Sequence, residues 1–189
     1  MLAKLLLASS SPRRAEILRA VGWPFETLAP NIDETLATGE TAESAVERLA
    51  LGKAKAAATE CPSVLVLGAD TAVVVDSEIL GKPRDEDDAQ RMLRLLSGRW
   101  HDVLTGVAVV RPGVGLAPSV AHERTQVRFC EMSDSEIDWY VKSGEPADKA
   151  GAYAIQGRAA FFIEEIRGDY WNIVGLPIRL VYKLVGERV

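Results

Sequence analysis

Apolar residues along this chain come in short unbroken runs that alternate with helix-spaced stripes. Leu5, Leu6, Leu7 and Ala8 form the first run and predict a short buried strand. Ser11 as N-cap and Pro12 in the first helical position then predict a helix. Its stripe is Ile17, Leu18 and Val21, and Gly22 ends it. A loop with Pro24 and Pro30 leads to Thr41, which caps a second helix striped by Val46, Leu49, Ala50, Lys53 and Ala57. Residues 64–67 read as a strand and 72–75 as a second strand-like run, with Gly68-Ala69-Asp70-Thr71 between them. Asp76-Ser77-Glu78 is a turn, Gly81-Lys82-Pro83 closes that segment, and Asp85 begins a third helix that stops at Gly98.

Residues 101–111 and 119–131 predict two long strands joined by the loop 112–118. In the second, Thr125, Val127 and Phe129 alternate with Arg124, Gln126 and Arg128, the pattern of a half-exposed strand. Ser133 and Glu136 form a capping box for a helix over 134–143. A loop of small residues over 149–157, a strand over 161–166, a turn at Gly168 and a helix from Ile178 to Val185 behind Pro177 complete the chain. Helices and strands alternate at first and the middle is hairpin-like, which predicts an α/β protein with a mixed sheet in a single domain, 1–189.

Composition narrows the function classes. The 189 residues are 48% hydrophobic and 26% charged, ordinary for a globular domain with a real core. A net charge of −5, from 22 Lys+Arg against 27 Asp+Glu, argues against sequence-independent duplex binding and leaves room for a small anion held by local cations. Cys61 and Cys130 lie far apart and read as reduced structural thiols. His101 and His122 are isolated and do not suggest zinc. The apolar stretch at the N-terminus is too short for a signal peptide and no run can span a bilayer, so the expected location is the cytoplasm, with no membrane partner.

Four features carry candidate chemistry. Arg13 and Arg14 stand in the first helical turn, where cations oppose the helix dipole. Each lies one turn before a stripe residue, so both project near the packed side, beside the first-turn amides and the hydroxyls of Ser9 and Ser11. Together these groups suit a phosphate. The alternative is that both arginines are solvated or paired with nearby Asp or Glu; taken with Asp70, Lys53 and Lys82, they would be unfavourable to the empty helix and favourable only against a bound polyphosphate. Asp70 follows an apolar run and calls for a partner or a metal, unless it is a turn residue bonding its own backbone. Lys53 lies on an apolar stripe, where a lysine either snorkels or meets an anion. Lys82 and Glu34 stand in polar loops and would ordinarily be solvated. As a set, four cations suit a polyphosphate, and Asp70 with Glu34 suits a divalent Mg²⁺ or Mn²⁺. There is no P-loop, no dinucleotide fingerprint and no serine-hydrolase elbow.

These residues fall in blocks that resemble the Maf family of nucleoside triphosphate pyrophosphatases. The blocks are LASSSPRR (7–14), RLALGKA (48–54), GADT (68–71), GKP (81–83), LSG (96–98), GEPADKAGAYAIQG (144–157) and VGLP (174–177). The resemblance implies an elongated α/β fold with two lobes and a central cleft, similar to the inosine triphosphate pyrophosphatases, and a homodimer. It implies hydrolysis of a nucleoside triphosphate to the monophosphate and pyrophosphate with a divalent metal. It makes Asp70 the catalytic residue, as general base or as ligand of the metal that activates the water. It associates Arg13, Thr71 and Gln156 with substrate choice, and it places Ser9, Arg14, Glu34, Lys53 and Lys82 along the cleft. The block ending in Gln156 is similar to the dTTP and UTP branch rather than the 7-methyl-GTP branch, and a glutamine amide offers the donor and acceptor that thymine or uracil requires. An enzyme of the inosine triphosphate type and a non-catalytic nucleotide sensor acting in septum formation are the competing readings.

Overall fold

The structure, a computed structural model, describes residues 2–113 and 117–186; part of the loop expected over 112–118 therefore lies outside the described residues. Strand β1 (Leu5–Ala8), helix α1 (Pro12–Ala20), strand β2 (Phe25–Leu28) and helix α2 (Ala42–Glu60) come first. Strand β3 (Leu65–Val75), strand β4 (Glu78–Leu80), helix α3 (Glu86–Leu96), and strands β5 (Trp100–Val110) and β6 (Ser119–Phe129) follow. Helix α4 (Asp134–Val141), three short 3₁₀ turns, strand β7 (Ile163–Arg167), and helices α5 (Tyr170–Val174) and α6 (Ile178–Val185) complete the order. The sheet is mixed, with strands in the order β2-β1-β3-β5-β6-β7 and β4 pairing with β3. β1 is parallel to β2 and β3, whereas the β3–β4 and β6–β7 pairs are antiparallel. The α/β class with a mixed sheet is as the sequence predicts. Among the described residues, no helix is long and apolar enough to cross a membrane.

The chain forms two compact units. The first comprises Met1–Asp70, Thr105–Glu123 and Gly175–Val189; the second comprises Thr71–Leu104 and Arg124–Val174. In the first, small residues of α2 (Ala50, Ala54, Ala57) pack on Leu6, Ala8, Val66 and Ala108 of the sheet. The approach is close because two strand positions lack side chains. A Cβ at Gly68 would stand 2.2 Å from the Ala50 carbonyl oxygen, and one at Gly106 2.2 Å from the Val46 carbonyl oxygen. In the second, Met92, Leu93 and Leu96 of α3 join Phe129, Tyr140, Tyr153 and Phe162 in a separate core.

Three elements escape the sequence pattern, namely β2, β4 and α5, each five residues or fewer. The larger correction concerns β3. Gly68-Ala69-Asp70-Thr71 does not break it; one strand runs from Leu65 to Val75. Gly68 is there because α2 lies against it, not because the chain turns. Asp70 is thus a mid-strand residue rather than a turn residue or the end of a strand.

Candidate functional site

The close seating of α2 decides where Lys53 goes. Side chains at Gly68 and Asp70 fall on one face of β3, because strand residues alternate. Ala50 and Lys53 fall on one face of α2, three residues apart. With Gly68 against Ala50, Lys53 comes beside Asp70, and its Nζ donates to Asp70 Oδ1 at 2.6 Å. The same ammonium is 2.7 Å from Glu34 Oε1. The Lys53 and Asp70 side chains are 11% and 15% exposed and the Glu34 side chain 55%, so the cluster opens to solvent on the Glu34 side. The lysine on an apolar stripe therefore meets two anions instead of snorkelling.

Glu34 stands in a loop with no regular structure between β2 and α2, and that loop is tied to α2. Arg48 Nε and Nη2 donate to Glu40 Oε1 and Oε2, both at 2.7 Å, and Nη2 also donates to the Thr35 carbonyl at 3.1 Å. The Thr35 amide donates to Asp33 Oδ1 at 2.9 Å and the Ala37 amide to Glu40 Oε2 at 3.1 Å. The hydrogen bonds from Arg48, then that from Ala37, hold the Glu40 carboxyl down at about 2. Arg48 and Glu40 carry no sequence signal for this task, since the pair bridges a loop and a helix with the N-cap Thr41 between them.

The opening motif is part of the same cluster. Arg14 is buried, with Nε donating to the Gly175 carbonyl at 2.8 Å and Nη1 to Ser9 Oγ at 3.0 Å. Burial pushes its guanidinium below the ordinary arginine range. Asp70 opposes that shift, Arg13 adds to it, and Glu34 opposes it. Arg14 thus finds partners inside the protein, which corrects the expectation that both arginines are favourable only against a polyphosphate. Arg13 is half-buried beside it. Ser11 sits at the N-cap, with Pro12 as the first helical residue, but its side chain caps no amide. Ser9 Oγ instead accepts from the Ser11 amide at 3.1 Å. Ser9, Arg14, Glu34, Lys53 and Asp70 are therefore drawn together in the first unit.

Thr71, Lys82 and Gln156 belong to the second unit. Thr71 is half-buried in β3, and Lys82 and Gln156 are exposed. The segments bearing Lys82 and Gln156 are joined by the Gly151 amide, which donates to the Gly81 carbonyl at 3.0 Å. Asp70 and Glu34 supply two hard oxygen donors, Oδ1 and Oε1, which here both meet the Lys53 ammonium. Among the described residues, no group of three or more His, Cys, Asp or Glu side chains could hold a metal by itself. That donor set fits Mg²⁺, which is commonly held by one or two carboxylates together with substrate phosphates.

Comparison with known proteins adds four findings. A family model described as Maf-like protein matches residues 4–188. A dTTP/UTP pyrophosphatase of Symbiobacterium thermophilum is 54% identical, covering 97% of this chain and 93% of its own length. A dTTP/UTP pyrophosphatase of a Geobacillus species is 50% identical over 93% of this chain and 92% of its own. Among solved structures, a HAM1 protein from Coxiella burnetii aligns with a TM-score of 0.52 at 20% identity, over 85% of this chain and 91% of that one, a likeness of fold alone.

Proposed function

This chain belongs to the Maf family, and from that premise we propose that it hydrolyses dTTP and UTP to the monophosphate and pyrophosphate. The observation that carries the reading is the Lys53 ammonium held between Asp70 and Glu34, with buried Arg14 coupled to both carboxylates. Relatives of the stated name at 50% identity or more support the substrates.

In this reading a water oxygen attacks the α-phosphorus and Asp70 takes its proton. The bond from the α-phosphorus to the bridging oxygen breaks, and pyrophosphate leaves with that electron pair. Lys53, Arg13 and Arg14 offset charge on the phosphate oxygens, with Ser9 and Ser11 as hydrogen-bonding neighbours. Lys82 offers a further cation to the leaving pyrophosphate. Glu34 would hold Mg²⁺ or Mn²⁺, joined by Asp70 where that carboxylate serves as ligand instead of base, and the metal when bound polarises phosphate oxygens and acidifies water. Gln156 pairs with the base edge, Thr71 and Arg13 contribute to substrate choice, and the enzyme works as a cytoplasmic homodimer.

A screen of pyrophosphate release over dTTP, UTP, ITP and 7-methyl-GTP tests the reading. The expected result is turnover of dTTP and UTP at least about tenfold above the purine nucleotides, the discrimination open to a site that hydrogen-bonds its substrate. Preference for ITP or 7-methyl-GTP would move the chain to another branch, and tight dTTP binding without release would make it a sensor.

A further inference from the structure

Lys53 is bonded in a way that bears on the metal. Its side chain is 11% exposed, and its Nζ lies 2.6 Å from Asp70 Oδ1 and 2.7 Å from Glu34 Oε1. One compact ammonium thus engages an oxygen of each carboxylate offered above to Mg²⁺ or Mn²⁺. Magnesium holds its oxygens at about 2.0–2.1 Å. A metal taken up by Glu34 Oε1 while Lys53 keeps its bond would therefore stand within about 5 Å of Nζ, since the two bond lengths bound the separation. Between a double and a single positive charge that close, with the lysine stem largely buried, solvent screens little of the repulsion. The charges around the site point the same way. Asp70 and Glu34 both favour the charged form of buried Arg14, so the two carboxylates already face two cations. No negative charge is left over for a third cation while both stay.

We infer that Lys53 competes with the divalent metal for the oxygens of Glu34 and Asp70, and that its ammonium must leave Glu34 before the metal is held there. The inference rests on the metal-holding role given to Glu34 above. The backbone of Lys53 is fixed, because α2 is seated against Gly68 and Gly106. Its side chain is not, since the stem is flexible and the Glu34 side of the cluster opens to solvent. A largely buried ammonium that gives up one carboxylate calls for another anion. In the proposed reaction the phosphate oxygens of the nucleotide supply it. Phosphate draws Lys53 away from Glu34, and the metal takes the place it leaves. Metal and nucleotide then assist each other, and by linkage the assistance is mutual.

The test reads Mn²⁺ binding without nucleotide, from the loss of the free-ion paramagnetic resonance signal during titration. It compares the parent protein with Lys53→Met, Lys53→Gln, Lys53→Arg and Lys55→Met. Methionine keeps an apolar stem on the packed stripe, glutamine keeps a donor for Asp70, and circular dichroism checks that each variant is folded. Both neutral variants at position 53 should bind Mn²⁺ at least about tenfold more tightly than the parent, within the usual range for coupled binding events. Lys53→Arg keeps the charge and should show no gain. Lys55 is exposed on the other side of α2, so Lys55→Met removes the same charge away from the carboxylates and should change the affinity by no more than about twofold. Adding Glu34→Gln to Lys53→Met should abolish the gain. No tightening in either neutral variant would overturn the inference, because the metal would then use other carboxylate oxygens with the ammonium in place. If Glu34→Gln still weakened Mn²⁺ binding by the parent, the metal-holding role would stand. An equal gain in Lys55→Met would also overturn the inference, since net charge alone would explain it. A gain in Lys53→Met that survives Glu34→Gln would remove the metal from Glu34, and the inference would fall with that role.

Discussion

The two units hold their candidate functional groups in opposite ways. In the first, the groups that would meet phosphate are bound to one another: Lys53 to Asp70 and Glu34, and Arg14 to Ser9 and the Gly175 carbonyl. In the second, Lys82 and Gln156 are exposed, and the Ala154 amide near Gln156 donates to the hydroxyl of buried Tyr140, which in turn donates to half-buried Glu145. The contrast follows from what each task requires. Stabilising charge on a phosphate needs ions that are already desolvated and oriented, and such ions survive burial only in company. Reading a base needs a neutral amide at a fixed place, so the backbone is what must be held.

The largest effect should come from the paired charges. Asp70→Asn preserves volume and removes the charge. It leaves Lys53 with Glu34, so the α2–β3 seating set by Gly68 stays. Pyrophosphate release from dTTP should fall about 10³-fold, within the range usual for loss of a general base, with the circular dichroism spectrum unchanged. Activity within several-fold of the parent would remove Asp70 from the chemistry and with it the idea that the first unit pairs its charges for catalysis.

How much of this was legible beforehand depends on how local each signal is. The capping box at Ser133 and Glu136, the Thr41 cap and the Leu5–Ala8 strand are local, and the structure keeps all three. The meaning of Gly68 is tertiary: the residue looks like a break until α2 is seen to lie on it. Lys53 on its stripe and Asp70 in its apolar run were each visible as anomalies, but only helix seating joins them. The main-chain partner of Arg14, the Gly175 carbonyl, is 161 residues away and has no side-chain signature. The clamp from Arg48 to Glu40 and the pair of Tyr140 with Glu145 are hidden for the same reason, since their partners are loops whose path no periodicity describes.

The second unit has its own vulnerability, which is acid. His101 is buried, with Nε2 2.8 Å from the Tyr153 hydroxyl and Phe129 and Tyr153 edge-on around it. Burial lowers its pKa to about 4. The folded state therefore keeps the imidazole neutral while the unfolded chain takes up a proton from about pH 6.5 downward. The associated stability is complete above pH 6.5 and drains away as the pH falls toward 4, by about 3 kcal/mol in all. Urea midpoints measured across that window should fall for the parent protein and fall less steeply for His101→Gln. Parallel slopes in the two proteins would show that His101 carries a proton or finds relief in the folded state. Because Tyr153 lies in the same segment as Gln156, base selectivity should weaken at the acid end of the window before the first unit responds.

The smallest effect is expected at the clamp on the Glu34 loop, and it tests whether the first unit also relies on support from behind. Arg48→Ala removes the two-pronged bond to Glu40 and the bond to the Thr35 carbonyl, next in sequence to Glu34. Lys53 and Asp70 keep each other, so only one of the two carboxylates loses its place. A fall of roughly tenfold in kcat/KM for dTTP is expected, as for a displaced but intact group, and a smaller fall in Arg48→Lys, whose ammonium cannot reproduce the fork. Combined with Glu34→Gln, Arg48→Ala should add little. An additive loss would mean that Arg48 acts on the site by another route, and no loss at all would mean that Glu34 is held in place without the clamp. In that case the first unit would be organised entirely by its own charges, and the contrast with the second unit would be complete.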